Sequence, residues 1–121
     1  MARVDQLTRI LRTLTTNTPD VEAGAVVSSD GLAIASALPQ GTDDDAYAAM
    51  SAALLGLGER ISSELKRGDL ETVLVRGDAG YVFLSRCGPE AVLTVLATRQ
   101  AKLGLLFLDV QRAARELAPL L

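Results

Sequence analysis

Histidine and tryptophan are absent from this sequence of 121 residues, and cysteine occurs once, at Cys87. Without histidine the chain cannot form a Ser-His-Asp triad or an imidazole metal site. A single cysteine excludes an internal disulfide and is typical of a reducing compartment, so we expect a cytoplasmic protein. Aromatic residues make up 3% of the chain, so its core must be built from Leu, Val, Ile and Ala.

Long apolar runs and strong charge of one sign are also missing. No run approaches the roughly 18 residues of a membrane span, and the N-terminus lacks the apolar core of a signal peptide. We therefore expect no membrane insertion. The net charge is −3 without a dense basic stripe, which argues against nucleic acid as the main partner. The length predicts one domain over residues 1–121.

Apolar runs separated by turn residues predict five strands. They are Val21–Ser28, Leu32–Ala37, Leu70–Arg76, Tyr81–Arg86 and Ala91–Thr98. Short turns join the last three strands into an antiparallel meander and the first two into a hairpin. The strand Ala91–Thr98 is apolar at nearly every position, which predicts a central place in the sheet.

Helical spacing of apolar residues predicts three helices. The first carries Val4, Leu7, Ile10, Leu11 and Leu14 and ends before Pro19; the last begins near Ala101 and carries Leu103, Leu106, Val110, Ala113 and Leu117. The second runs from an N-cap at Thr42 to about Lys66. The predicted fold is α+β, a five-stranded antiparallel sheet covered by three helices in the order α-β-β-α-β-β-β-α.

The stretch Ser28-Ser29-Asp30-Gly31 is a small polar loop of the kind found in phosphate sites and in hairpin turns. A phosphate loop leads from a strand into a helix, where backbone amides hold the anion. Here the loop leads into a second strand, and Asp-Gly between apolar runs favours a hairpin. The sequence therefore predicts a turn without catalytic function.

Three aspartates, Asp43, Asp44 and Asp45, could form a metal site or stabilise a helix start. Their position at the beginning of the second helix favours capping. No nucleophile pair or convergent set of polar residues appears elsewhere. We therefore expect no enzymatic activity, no cofactor, no metal and no small-molecule substrate.

The second helix is apolar on several faces at once. Tyr47, Met50, Leu54, Leu57, Ile61 and Leu65 form one face, which we predict to pack on the sheet. A neighbouring face has Ala46, Ala49, Ala53 and Gly56 followed by Arg60, and small side chains there would let another helix approach closely. Alternatively, this face is a solvent-exposed alanine surface, since alanine is the best helix former.

At this point the chain resembles the Roadblock (dynein light-chain type) domain family. The stretches that carry the resemblance are VEAGAVVSSDGLAIAS, AYAAMSAALLGLGERI, YVFLSRCGPEAVLTVLA and AKLGLLFLDV. They occur in the family's order and cover essentially the whole chain. The short connections are most similar to those of bacterial members of the MglB type, so a bacterial source is expected.

The resemblance implies a homodimer and a Ras-like small GTPase as partner. Its second helices would pair through Ala46, Ala49, Ala53, Gly56 and Arg60, and its third strands would pair through Thr72 and Leu74. Regulators of this type promote hydrolysis without donating a catalytic arginine. We predict the partner surface on the outer side of the paired helices, at Ala52, Leu55, Glu59 and Lys66.

Two other functions remain open at this point. The chain could be a Roadblock scaffold in a signalling or motor complex that does not regulate its partners. It could also be a ligand-sensing domain of the PAS or GAF kind, although few aromatic residues are available to line a pocket.

Overall fold

The computed structural model describes residues 2–121 and contains the predicted eight elements in the predicted order. The helices are α1 (Arg3–Asn17), α2 (Asp44–Glu64) and α3 (Leu103–Leu117), followed by a 3₁₀ turn at Ala118–Leu120. The strands are β1 (Val21–Ser28), β2 (Ala33–Ala37), β3 (Thr72–Gly77), β4 (Gly80–Arg86) and β5 (Ala91–Thr98). The bounds of β1 and β5 are those predicted.

All five strands pair antiparallel in one sheet of order β2-β1-β5-β4-β3. The strand β5 is central, as its apolar sequence predicts. The β1–β2 connection is the predicted hairpin turn, in which Gly31 adopts a φ of +89° and the Ser28 hydroxyl oxygen accepts a hydrogen bond from the amide of Leu32. β2 and β3 form the two edges of the sheet.

The helices cover both faces of the sheet. On one face, Leu7 and Leu11 of α1 and Leu106 and Val110 of α3 pack with alternate residues of the strands. Val4 and Leu103, predicted on the same stripes, lie at the N-terminal ends of these helices and stay partly exposed. On the other face, α2 alone contributes Ala48 and Leu55 to a smaller cluster. The two layers therefore differ, with two helices on one side and one on the other.

The start of α2 explains the three aspartates. The N-cap is Asp43 rather than the predicted Thr42, and its carboxylate accepts a hydrogen bond from the amide of Ala46 at 3.1 Å. Asp44 accepts a hydrogen bond from the Ser36 hydroxyl at 3.0 Å, which ties the helix start to β2. Within residues 2–121 no group of acidic or cysteine side chains is arranged to hold a metal ion.

The predicted packing face of α2 is wrong. Tyr47 and Leu54 are half-buried, but Met50 is 66% exposed and Leu57 is 57% exposed. The residues that face the sheet are Ala48, Ser51 and Leu55, of which Leu55 is 1% exposed. The helix is rotated by about one residue position from the predicted orientation, about 100°. Two of the three residues over the sheet are small, and several large apolar residues point outward.

The cysteine is structural. Cys87 is 1% exposed in the larger core cluster, and this burial raises the pKa of its thiol to about 12, although the charge of Arg86 acts in the opposite direction. The thiol therefore stays protonated, and so unreactive, in the folded protein at neutral pH. In the unfolded chain it ionises near pH 8.5, so the stability gained by burying a neutral thiol decreases above about that pH.

We expect Cys87 to react with a thiol reagent at least about a hundredfold more slowly in native buffer than in urea. The rate of thiol labelling measures this directly. A matched control is a Ser29→Cys variant in a Cys87→Ala background, since Ser29 is exposed on a turn and its replacement should react rapidly in both conditions. Rapid labelling of native Cys87 would contradict its burial.

Candidate protein-interaction surface

The most apolar exposed surface on the single-helix side of the sheet lies on α2. Its residues form what we call the α2 outer face: Ala46, Ala49, Met50, Ala53, Gly56, Leu57, Arg60 and Ile61. Ala53 lies at its centre, because it is two residues, or about 200°, from both buried Ser51 and buried Leu55. Arg60 forms an exposed ion pair with Glu64 at 3.2 Å. The α2 outer face therefore has a centre of small and apolar residues with charges at one end.

The neighbouring strand β3 lies at an edge of the sheet, and among residues 2–121 only β4 pairs with it. The carbonyl of Glu71 accepts a hydrogen bond from the amide of Arg86, and a two-residue turn joins β3 to β4 between Gly77 and Gly80. In an antiparallel pair the residues that bond to the neighbouring strand alternate along the chain. The backbone groups of the even-numbered residues, Thr72, Leu74 and Arg76, therefore point away from β4 and are available to another strand.

The side chains of β3 extend the apolar surface. Val73 packs against the core beneath α2, so Val75, two residues later, lies on the same side of the sheet, and it is 41% exposed. Leu74 lies on the opposite side and is exposed to a similar extent. The strand contains no proline or bulge that would block pairing with another chain. Its edge is therefore open and apolar on both sides.

Glycine allows α2 to lie close to β3. A Cβ atom at Gly58 would lie 3.0 Å from a methyl carbon of Leu70 and 3.2 Å from one of Val73, closer than ordinary packing. A larger residue would push the helix away from the strand. The close approach makes the α2 outer face and the open edge of β3 neighbours on one side of the molecule.

Electrostatic features at this surface are few. The Tyr47 hydroxyl is buried without a hydrogen-bond partner among the described residues, and burial raises the pKa of this group, so it stays neutral at physiological pH. Glu59 forms an ion pair with Arg86 of β4, which also donates a hydrogen bond to the carbonyl of Pro89 at 3.0 Å. That pair anchors α2 to the sheet. No pair of groups here is arranged for acid–base or nucleophilic chemistry.

The sequence profile of the Roadblock/LC7 domain family matches residues 7–97, which include the sheet, α2 and most of α1. The chain belongs to the Roadblock/LC7 family.

Relatives of this Roadblock chain occur in archaea and bacteria. The uncharacterized protein MJ1340 of Methanocaldococcus jannaschii is 35% identical over 100 residues, which cover 83% of this chain and 87% of that protein. A Roadblock/LC7 domain from Streptomyces avermitilis superposes with a TM-score of 0.87 and 25% identity, over 93% of this chain and 94% of that one. The structure of MglB with tetrameric arrangement has a TM-score of 0.90 and 18% identity, over 99% of this chain and 90% of that one.

The Roadblock fold brings together the residues predicted at a dimer interface. Ala46, Ala49, Ala53, Gly56 and Arg60 are all exposed on the α2 outer face. Thr72 and Leu74 lie in the open edge strand beside it, with their backbone groups directed outward. Their role in assembly stays a prediction, but their positions are compatible with it.

The residues predicted to bind a partner do not form one exposed patch. Leu55 was expected on the outer side of α2, but it is buried against the sheet and cannot contact a partner of the folded chain. Ala52 is half-buried beside the β1–β2 turn, where its Cβ lies 3.8 Å from the position of a Cβ at Gly31. Glu59 is engaged with Arg86, and Lys66 is exposed just beyond the helix with a φ of +57°.

Sequence reasoning missed the apolar residues that are exposed on this side. They are Met50, Leu57, Ile61 and Leu65 of the α2 region and Val75 of β3. Their apolar character was visible, but it was interpreted as evidence of burial. The only sequence signal was Ser51, which the predicted face leaves out although it is buried in the structure. A single polar residue on the buried side does not show which side of the helix faces solvent.

Proposed function

We propose that this Roadblock protein forms a homodimer and that the dimer binds and regulates a Ras-like small GTPase in the cytoplasm. The observation that carries the first step is the open edge of β3 lying beside the apolar α2 outer face. A two-fold axis beside them would pair β3 with its copy and α2 with its copy, so that one interface covers both features. The tetrameric arrangement of the similar protein MglB supports self-association.

Small residues at the centre of the α2 outer face suit a helix pair. Ala49, Ala53 and Gly56 project little from the helix, so a second α2 can approach to the short end of the usual 8–10 Å interaxial range. The larger apolar side chains beside this helix pair would then be removed from water; they are Met50, Leu57 and Ile61. The proposed interface therefore has close backbone packing at its centre and large apolar side chains beside it.

The partner proposal depends on the similarity to MglB and on the shape of the proposed dimer. A GTPase that responds to a dimer must touch a surface that both copies build, and the paired α2 helices provide one. Of the residues first predicted there, Ala52, Glu59 and Lys66 remain candidates, whereas Leu55 does not. We propose that Lys66 and nearby charges form a polar rim and that regulation occurs without an arginine donated to the nucleotide.

A pull-down from lysate of the source organism, followed by a hydrolysis assay of the recovered GTPase, tests this proposal. We expect the wild-type protein to change the rate of GTP hydrolysis and an Ala53→Arg variant, designed to be monomeric, to have little effect. An unchanged hydrolysis rate with wild-type protein bound would favour a scaffold function instead. A failure to recover any GTPase with a nucleotide-dependent interaction would contradict the proposed partner class.

We expect the isolated protein to hydrolyse neither GTP nor ATP, because none of the described residues form a catalytic arrangement. Steady-state phosphate release measures this after repeated purification. A suitable control is Asp43→Asn with Asp44→Asn, since asparagine still caps a helix but lacks the carboxylate charge that a metal would need. Turnover that persists through purification and disappears in this variant would contradict the proposal that the protein is not an enzyme.

A further inference from the structure

The first half of α3 is apolar on its outer as well as its inner side. The sequence Leu103–Leu108 is LGLLFL, and only Leu106 of this segment is buried. Leu105 is 59% exposed and Leu108 is 57% exposed, whereas Leu103 and Phe107 are less so. Phe107 packs edge-on against Phe83, with ring centroids 5.9 Å apart. A helix that only covers a sheet would have polar residues at positions 105 and 108.

Basic residues follow the exposed leucines along the same stripe of α3. With 100° per residue, Leu105, Leu108, Arg112 and Arg115 lie within about 80° of one another and opposite buried Val110. Lys102 precedes this stripe as the N-cap residue and makes no capping hydrogen bond. We call the five residues Lys102, Leu105, Leu108, Arg112 and Arg115 the α3 outer face; all are exposed.

Acidic residues near the α3 outer face only partly offset its charge. Asp109 is half-buried and accepts a hydrogen bond from Thr18, and it pairs with Arg112 at 3.6 Å. Glu116 is exposed on the edge of the stripe. Arg115 and Lys102 make no ion pair within the part of the chain that the structure describes. The α3 helix with its N-cap therefore carries a net charge of +1, and the two basic residues without an ion pair, Lys102 and Arg115, lie at opposite ends of the stripe that contains the two leucines.

The helix layer as a whole is basic in an acidic protein. Six basic residues belong to α1, α3 and the N-cap of α3: Arg3, Arg9, Arg12, Lys102, Arg112 and Arg115. Three acidic residues, Asp5, Asp109 and Glu116, belong to the same segments, so this layer carries a charge of +3. The remaining residues include six basic and twelve acidic ones, a charge of −6. The helix layer is therefore the more basic side of the protein, with acidic residues at its borders, where Asp20 lines a cleft with Lys102 and both Asp69 and Glu71 line a cleft with Arg115.

We propose that the α3 outer face adsorbs to an anionic lipid bilayer. A bilayer surface fits both features, because leucine side chains enter the boundary between headgroups and acyl chains while lysine and arginine contact anionic headgroups. The leucines project from a convex helix, and a fluid lipid surface conforms to a convex shape without a matching groove. No helix among residues 2–121 is long and apolar enough to cross a membrane, so adsorption is peripheral.

The inference goes beyond the proposed function and does not depend on it. The proposed dimer uses α2 and β3, whereas the α3 outer face lies on the opposite side of the sheet. Adsorption at this layer would leave the α2 outer face uncovered by lipid. The protein could therefore bind a bilayer through one layer and another protein through the other.

Vesicle co-sedimentation of the full chain tests the proposal. The probes are vesicles of phosphatidylcholine alone and vesicles in which about one third of the lipid is phosphatidylglycerol. We expect binding to the anionic vesicles only, decreasing as salt is raised from about 0.05 M to 0.5 M. A Leu105→Ser, Leu108→Ser variant and a Lys102→Gln, Arg115→Gln variant should each bind at least about tenfold more weakly.

Leu32→Ser is the matched control, because Leu32 is equally exposed but lies on the β1–β2 turn, away from α3. It should bind like wild type, and circular dichroism should show all variants folded.

Three results would overturn the proposal: no binding of wild type to anionic vesicles, equal binding to neutral ones, or wild-type binding by the leucine variant. A smaller molar mass of the leucine variant in light scattering would show instead that a second copy covers this face. Retention of the protein by immobilised polyglutamate but not by vesicles would overturn the proposal and assign the α3 outer face to an acidic protein partner.

Discussion

An Ala53→Arg variant is expected to be a folded monomer at concentrations where we propose that the wild-type protein forms a dimer. Ala53 is at the centre of the α2 outer face and is exposed in the single chain, so a larger side chain can extend into solvent there. Arginine is a good helix former, so α2 should tolerate the change within a single chain. In the proposed dimer the same guanidinium would be forced between two closely packed helices without an acidic partner.

We expect the dimer dissociation constant to increase at least about a hundredfold, or about 2.7 kcal/mol. Size-exclusion chromatography with light scattering over a dilution series measures this change. Thr13→Arg is the matched control, because Thr13 is exposed on α1, on the opposite side of the sheet, and its replacement adds the same charge. An Ala53→Arg protein with unchanged mass and affinity would show that α2 does not pair through its small residues.

The strands were predictable because turn chemistry marks their ends. A glycine with a positive φ lies in or directly after each of the three turns between paired neighbours, at Gly31, Gly80 and Gly88. The sequence between these turns is alternating or continuously apolar. Short connections then allow only antiparallel neighbours, which determines most of the order of the sheet. The open edge at β3 follows from this order, since the last strand, β5, pairs with both β1 and β4.

The helices α1 and α3 were predictable for a different reason. Each has a buried stripe at helical spacing, such as Leu7, Leu11 and Leu14 in α1, and charged residues elsewhere that define the solvent side. The exposure of the other leucines of α3 was not predicted, because the buried stripe alone was enough to explain why the helix is apolar. A pattern that identifies the core gives no information about additional apolar residues outside it.

The orientation of α2 could not be predicted from periodicity. Between Ala46 and Gly58 only Ser51 is polar, so the sequence lacks a hydrophilic side that would identify the solvent face. The prediction placed the largest side chains against the sheet, but the fold places Ala48 there, at 0% exposure, next to the sheet residues Ala25 and Leu84. Large apolar residues are left outside, which is understandable if a partner covers them.

The rotated orientation of α2 predicts a large loss of stability from Leu55→Ala. Leu55 contacts the small cluster formed with Val27, Leu84 and Val92, and no other large residue of α2 is fully buried. Removal of its side chain leaves a cavity beneath a single helix, so we expect the free energy of unfolding to fall by about 2–5 kcal/mol. This expectation replaces the earlier one that Leu55 contacts a partner.

Leu108→Ala provides the matched control, because it is the same substitution in a helix at an exposed position outside the proposed dimer surface. Its effect should stay within about 0.5 kcal/mol. Urea denaturation at one protein concentration, followed by circular dichroism, compares the variants directly. Because assembly adds to measured stability, the comparison is repeated in the Ala53→Arg background, where only packing within one chain contributes. Equal effects of the two substitutions there would contradict the burial of Leu55 and, with it, the exposure of the α2 outer face.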